Sequence, residues 1–86
     1  MASYRILFTR SAAKELEEVP IKDRRRIVIR IGKLADDPRP MGAEKLSGDD
    51  KYRLRQGDYR ILYEIRDTEL IVTVVRIGNR REVYRR

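Results

Sequence analysis

Lys51-Tyr52-Arg53-Leu54-Arg55-Gln56-Gly57-Asp58-Tyr59-Arg60-Ile61-Leu62-Tyr63-Glu64-Ile65-Arg66 decides the fold of this chain. Two runs mixing aromatic, aliphatic and charged residues flank Gln56-Gly57-Asp58, which has the composition of a tight turn, so the stretch reads as two antiparallel strands, 51–55 and 59–66. Successive side chains leave opposite faces of a strand. Tyr52 and Leu54 therefore share one face, and Arg53 and Arg55 the other. In the second strand Tyr59, Ile61, Tyr63 and Ile65 read as core, and Arg60, Leu62 and Glu64 as the opposite, water-facing side. Asp67-Thr68-Glu69 supplies another turn, and Leu70 to Ile77 a third strand that completes a meander.

Working outward toward the N-terminus, Asp36 to Asp50 holds Pro38, Pro40, Gly42 and Gly48 and reads as loop, with Leu46 as its anchor into the core. Ile21 to Ala35, bracketed by Pro20 and Pro38, is long enough for a helix, with Ile27, Val28, Ile31, Leu34 and Ala35 as its apolar stripe. Arg24-Arg25-Arg26 reads as the solvated flank of that helix. In Ser11 to Val19, Ala12, Leu16 and Val19 recur at helical spacing, while Glu15, Glu17 and Glu18 leave a wet side. Thr9 or Ser11 can cap this helix, and Pro20 ends it. Tyr4 to Thr9 is a short β-prone run. The prediction is one α+β domain spanning 1–86: an N-terminal strand, a two-helix hairpin and a three-stranded antiparallel meander. The helices pack on one face of a four-stranded, mostly antiparallel sheet.

Composition narrows the chemistry. With no cysteine and no histidine, thiolate chemistry, disulfides and the commonest metal ligand and general base are excluded, and neither cofactor nor metal is expected. A chain of 86 residues buries only about 60–65% of the surface its unfolded form exposes, which leaves little room for a large pocket. The absence of an apolar run of about 18 residues, and of a signal-like hydrophobic start, predicts a cytoplasmic protein that makes no use of a membrane. Net charge is +7, and residues 51–86 carry ten Lys/Arg against five acids, so five of the seven charges lie in the last 36 residues. A polyanion contact belongs there.

The meander can gather Arg53, Arg55 and Arg60 on one concave face, with Lys51 at its edge. Gly78 lets the chain turn, so that Arg80 and Tyr84 can reach the same place. Planar, permanently charged guanidiniums suit a phosphate whose oxygens gain charge as a ribose 2′-hydroxyl attacks phosphorus, and a tyrosine can stack on a base. Each residue also has a plainer reading. Sheet arginines are commonly solvated or ion-paired, Tyr84 can pack the C-terminus, and Glu64 and Glu82 can pair with nearby arginines rather than act as bases. Arginine and tyrosine are both poor proton acceptors near neutral pH.

Phe8-Thr9-Arg10-Ser11-Ala12-Ala13-Lys14-Glu15-Leu16, Lys45-Leu46, Tyr52 to Arg55, Gly57 to Ile65 and Val75-Arg76-Ile77-Gly78-Asn79-Arg80-Arg81-Glu82-Val83-Tyr84 together resemble the RelE toxins of bacterial toxin–antitoxin pairs. The resemblance covers nearly the whole chain. It implies a metal-independent endoribonuclease that enters the ribosomal A site, cuts mRNA by 2′-hydroxyl attack and halts translation. Catalysis would rest on Arg60, Arg80 and Tyr84, and phosphate binding on Lys51, Arg53, Arg55 and Arg81. Where studied members carry two lysines on the first meander strand, this chain has Arg53 and Arg55, which keeps phosphate binding but removes a candidate base. The resemblance further implies a small inhibitory antitoxin as partner, beside ribosome and mRNA. The related ParE toxins share the architecture but bind DNA gyrase, and a non-catalytic RNA-binding module is a third reading.

Overall fold

The computed structural model describes residues 3–46 and 50–79. Strand β1 (Arg5–Phe8) leads into helix α1 (Arg10–Glu17) and helix α2 (Ile21–Lys33), and four further strands follow: β2 (Glu44–Lys45), β3 (Lys51–Gln56), β4 (Tyr59–Arg66) and β5 (Ile71–Asn79). The sheet order is β1-β5-β4-β3-β2. β1 runs parallel to β5, and every other pairing is antiparallel. The parallel pair is possible because the helical hairpin carries the chain from β1 to the far side of the molecule before the meander returns.

The sheet has five strands where four were expected. β2 lies inside the segment read as loop, and its two residues are too few to show a two-residue period in the sequence. Leu46 is only partly buried; among the described residues of this segment Pro38 is buried and Ala43 packs against the core.

α1 begins where Thr9, in extended conformation, accepts the Ala12 N–H on its side-chain oxygen at 3.1 Å. The same hydroxyl donates to the Val75 carbonyl at 3.1 Å, tying the helix start to β5. At the other end Arg24 is not a solvated flank. Its guanidinium donates to the carbonyls of Val19 and Glu17, at 3.0–3.2 Å, and so satisfies acceptors that the end of α1 leaves open. Arg25 and Arg26 are exposed as expected.

The core lies between the helices and one face of the sheet. Ala12, Val19, Ile27, Ile31 and Leu34 meet Tyr52, Leu54, Ile61, Tyr63, Ile65, Val72, Val74 and Ile77. Each fully buried aliphatic side chain here contributes about 1.5–3 kcal/mol relative to exposure. Tyr63 keeps its hydroxyl satisfied by donating to the Pro38 carbonyl at 2.8 Å, and its ring stacks on Tyr52 with centroids 5.7 Å apart. Val28 does not join the stripe. It is 48% exposed, because Ile27, Ile31 and Leu34 already fill the contact arc of α2.

Two backbone features shape the sheet. The β3–β4 loop is Gly57-Asp58, closed by the Gln56–Tyr59 pair, with Gly57 at φ 61°. In β5 the register slips: Leu62 pairs with Arg76 but Tyr63 with Val74, so Val75 is an extra residue and a bulge. The slip explains why buried positions change from Val72 and Val74 to Ile77. No described helix is long and apolar enough to cross a membrane.

Candidate functional site

Facing partners in adjacent strands project to the same side, so the register arranges the outer sheet face in rows. Arg55 on β3 lies opposite Arg60 on β4, which lies opposite Gly78 on β5. The next row holds Arg53, Leu62 and Arg76, and the third Lys51, Glu64 and Thr73. Arg53, Arg55 and Arg60 thus share one face, as alternation predicted. The bulge at Val75 is what brings Arg76 and Gly78 onto this face as well.

One expectation is overturned. Arg60 is not water-facing but 1% exposed, the only charged residue buried among those described. Alternation fixes the face a side chain leaves from and is silent on what lies over it, and β4 is the central strand of the five. A guanidinium sheltered from water exerts a stronger field than one in bulk solvent, and Arg55 directly opposite adds a second positive charge to this face.

The other residues of this face are more open. Arg55 and Lys51 are exposed, and Lys51 lies across from Glu64. Arg53, paired in register with Glu44 of β2, donates Nη2 and Nε to that carboxylate's Oε1 at 2.9 and 3.3 Å. The Glu44 carboxyl is held below the usual carboxylate range, first by the Arg53 hydrogen bonds and also by the charges of Arg53, Arg55 and Arg60. Arg80, Arg81 and Tyr84 lie outside the described residues, as does Glu82.

Two acids were not legible as parts of this region. Glu15, read as part of a wet side, reaches from α1 to β5. Its carboxylate accepts the Ile77 backbone N–H at 2.8 Å and Arg76 Nε at 3.0 Å. The signal for it is a length mismatch: four-residue β1 ends opposite Val74, so the rest of β5's edge needs another acceptor. Glu44 sits in a strand too short to be read from sequence.

A second polar cluster lies beyond the other end of β4. Arg39 donates to both carboxylate oxygens of Asp67, at 3.1 and 2.8 Å, and to the Tyr52 hydroxyl at 2.9 Å, with its guanidinium 5.3 Å from the Tyr52 ring centre. Tyr4 donates to Asp67 at 2.7 Å. These contacts hold Asp67 down to about 2, the Arg39 bonds foremost and Tyr4 next. The cluster pins the segment after α2 against the sheet and is structural.

Comparison with known proteins agrees with this architecture. Residues 6–84 match the family described as the ParE toxin of type II toxin–antitoxin systems, parDE. Toxin RelG of Mycobacterium tuberculosis is 31% identical over 87 residues, covering 96% of this chain and 98% of that one. Among solved structures, the chain is similar to one in the M. tuberculosis RelBE2 toxin–antitoxin complex, with TM-score 0.80, 28% identity and coverage of 93% and 94% of the two chains. It is also similar to one in the archaeal RelE–RelB complex of Pyrococcus horikoshii, with TM-score 0.79, 26% identity and coverage of 91% and 96%. A helical hairpin laid on a mixed sheet, an arginine-rich outer face and matches spanning nearly the full length lead to one assignment: this chain belongs to the RelE/ParE superfamily of toxins from type II toxin–antitoxin systems.

Proposed function

We propose that this toxin is a metal-independent endoribonuclease that cuts mRNA in the ribosomal A site and thereby stops translation. The observation that carries the reading is the sheltered Arg60 on the same sheet face as Arg53 and Arg55. In the reaction, the 2′-oxygen attacks the adjacent phosphorus, the bond to the 5′-oxygen breaks, and a cyclic phosphate and a free 5′-hydroxyl result. The 2′-hydroxyl loses a proton and the departing 5′-oxygen gains one. Negative charge accumulates on the non-bridging oxygens, where a desolvated planar guanidinium stabilises it more than it stabilises the ground state. Arg60 takes that role. Arg80, two residues beyond Gly78 in sequence, shares the transition-state and leaving-group charge, and Tyr84 positions the substrate by stacking. Lys51, Arg53, Arg55 and Arg81 hold flanking phosphates.

An antitoxin partner is part of this reading, since the similar structures are toxin–antitoxin complexes. The outward side of α2 suits such a partner: Ile21, Val28 and Ile29 are 61%, 48% and 61% exposed, and Lys22, Arg25 and Arg26 are exposed beside them. An amphipathic, acidic segment would cover both.

A second reading, gyrase inhibition without catalysis, draws on the ParE description of the matching family. The two separate cleanly. Purified toxin added to a reconstituted translation system is expected to generate new mRNA 5′ ends within A-site codons and to leave gyrase supercoiling unaffected. Blocked supercoiling with intact mRNA would replace the first reading by the second.

A further inference from the structure

We infer that Glu44 is a built-in anion that occupies the phosphate-binding edge of Arg53 and is displaced by an incoming RNA phosphate. The inference rests on the RNA-directed reading above and adds a control on its affinity.

Two donors of one guanidinium edge, Nε and Nη2, converge on a single oxygen of Glu44. That edge is the one a phosphate takes in a two-point arginine contact, so carboxylate and phosphate compete for the same donors. The pair is unequally covered: Arg53 keeps 19% of its side chain exposed and Glu44 56%. A competing anion therefore approaches from the Glu44 side, and the carboxylate has water to leave into. Its strand is short and lies at the sheet edge: β2 pairs with β3 through Glu44–Arg53 and Lys45–Tyr52, and just beyond it the Leu46 N–H donates to the Lys51 carbonyl at 2.9 Å. An exposed ion pair of this type is weak enough to exchange. Glu44 also lies in the combined field of Arg53, Arg55 and Arg60, so one negative charge there lowers the attraction of the whole face. The outcome is a toxin whose grip on arbitrary RNA is restrained and whose Arg53 engages only where other contacts bring a phosphate to it.

The test measures binding of the free toxin to a short single-stranded RNA with 2′-O-methyl riboses, which cannot be cut, alone and on ribosomes programmed with it, across a salt series. Glu44→Gln is expected to bind roughly 2- to 5-fold more tightly at low salt, with a salt slope steeper by about 0.7 as one more phosphate is neutralised. Glu69→Gln removes an equal charge beside Arg66, at the opposite end of β4 from Arg60, and is the control for net charge. In an Arg53→Gln background the Glu44→Gln gain should vanish. Tightening no greater than in the Glu69 control, or an undiminished gain without Arg53, overturns the inference while leaving RNA binding in place. A wild-type toxin that binds neither form of the RNA overturns the RNA reading and this inference with it.

Discussion

The carboxylate of Glu15 on α1 and the backbone N–H of Ile77 on β5 are joined at 2.8 Å, sixty-two residues apart in sequence. A side chain thus completes the edge of a strand whose backbone neighbour has run out. Glu15 fixes the stretch of β5 that carries Arg76 and Gly78 into the outer face, so a helix read as amphipathic packing material also sets the geometry of the site.

Glu15→Ala is expected to destabilise the fold by about 1–3 kcal/mol, because it orphans the Ile77 N–H and removes a charged partner from Arg76. Glu15→Gln retains one acceptor and should cost less. Urea titration followed by circular dichroism checks both, and equal stability of all three proteins would refute the role.

Tyr63→Phe removes the partner of the buried Pro38 carbonyl without changing shape, with an expected loss of about 1–3 kcal/mol. Burial foremost pushes the Tyr63 phenol up to about 12. A folded-state value above the unfolded one near 10 means that this contribution is intact below pH 10 and is lost as pH rises toward 12. Alkaline unfolding should therefore coincide with tyrosinate absorbance in the wild type and lose one component in Tyr63→Phe.

At acid pH the sign is opposite. Asp67, held down to about 2 by Arg39 and Tyr4, stabilises the fold above the ordinary value of 3.8 and ceases to do so as pH falls through 2. The stability curve of Asp67→Asn should be flatter than the wild type's between those limits. A parallel pair of curves would show that the cluster is energetically idle, the common fate of exposed ion pairs.

The meander, the hairpin and a hydroxyl cap at Thr9 or Ser11 were legible because each rests on local pattern: alternation around Gly57-Asp58, helical spacing of Ala12, Leu16 and Val19, a hydroxyl before a helix; the fold chooses Thr9. What was not legible depends on partners distant in sequence. Val28 has the right spacing for the core and no room in it. Arg24 looks like its neighbours Arg25 and Arg26 until the end of α1 is placed beside it. Alternation grouped Arg53, Arg55 and Arg60 correctly, yet the shelter of Arg60 is a property of the assembled sheet, and no period in the sequence encodes it.

Leu70 stands at φ 55° in the turn before β5, a left-handed conformation unfavourable for a residue with a branched side chain, and is 39% exposed. Leu70→Asn should stabilise by roughly 0.5–1 kcal/mol, since asparagine tolerates that region. Gly57→Ala, placed at φ 61° in the β3–β4 loop, should destabilise by about 1–2 kcal/mol although nothing would touch its methyl group. Thermal melts of the two variants should move in opposite directions.

Arg60→Lys preserves charge and removes the planar donor pair. If Arg60 stabilises the reacting phosphate, A-site cleavage should fall about 10²–10³-fold, far more than any loss of folded protein read from the melting curve accounts for. Cleavage within a few-fold of wild type would assign Arg60 to the architecture alone.

The extra residue Val75 gives β5 two parity rules in one strand. Before it, even-numbered positions pack on the helices; after it, odd-numbered ones do. Val72 and Val74 are therefore constrained by packing on the helices, whereas Arg76 and Gly78 lie on the outer face. A deletion of that single valine would exchange the two sides of Arg76 to Asn79, so this one-residue insertion is what turns Arg76 outward and Ile77 inward.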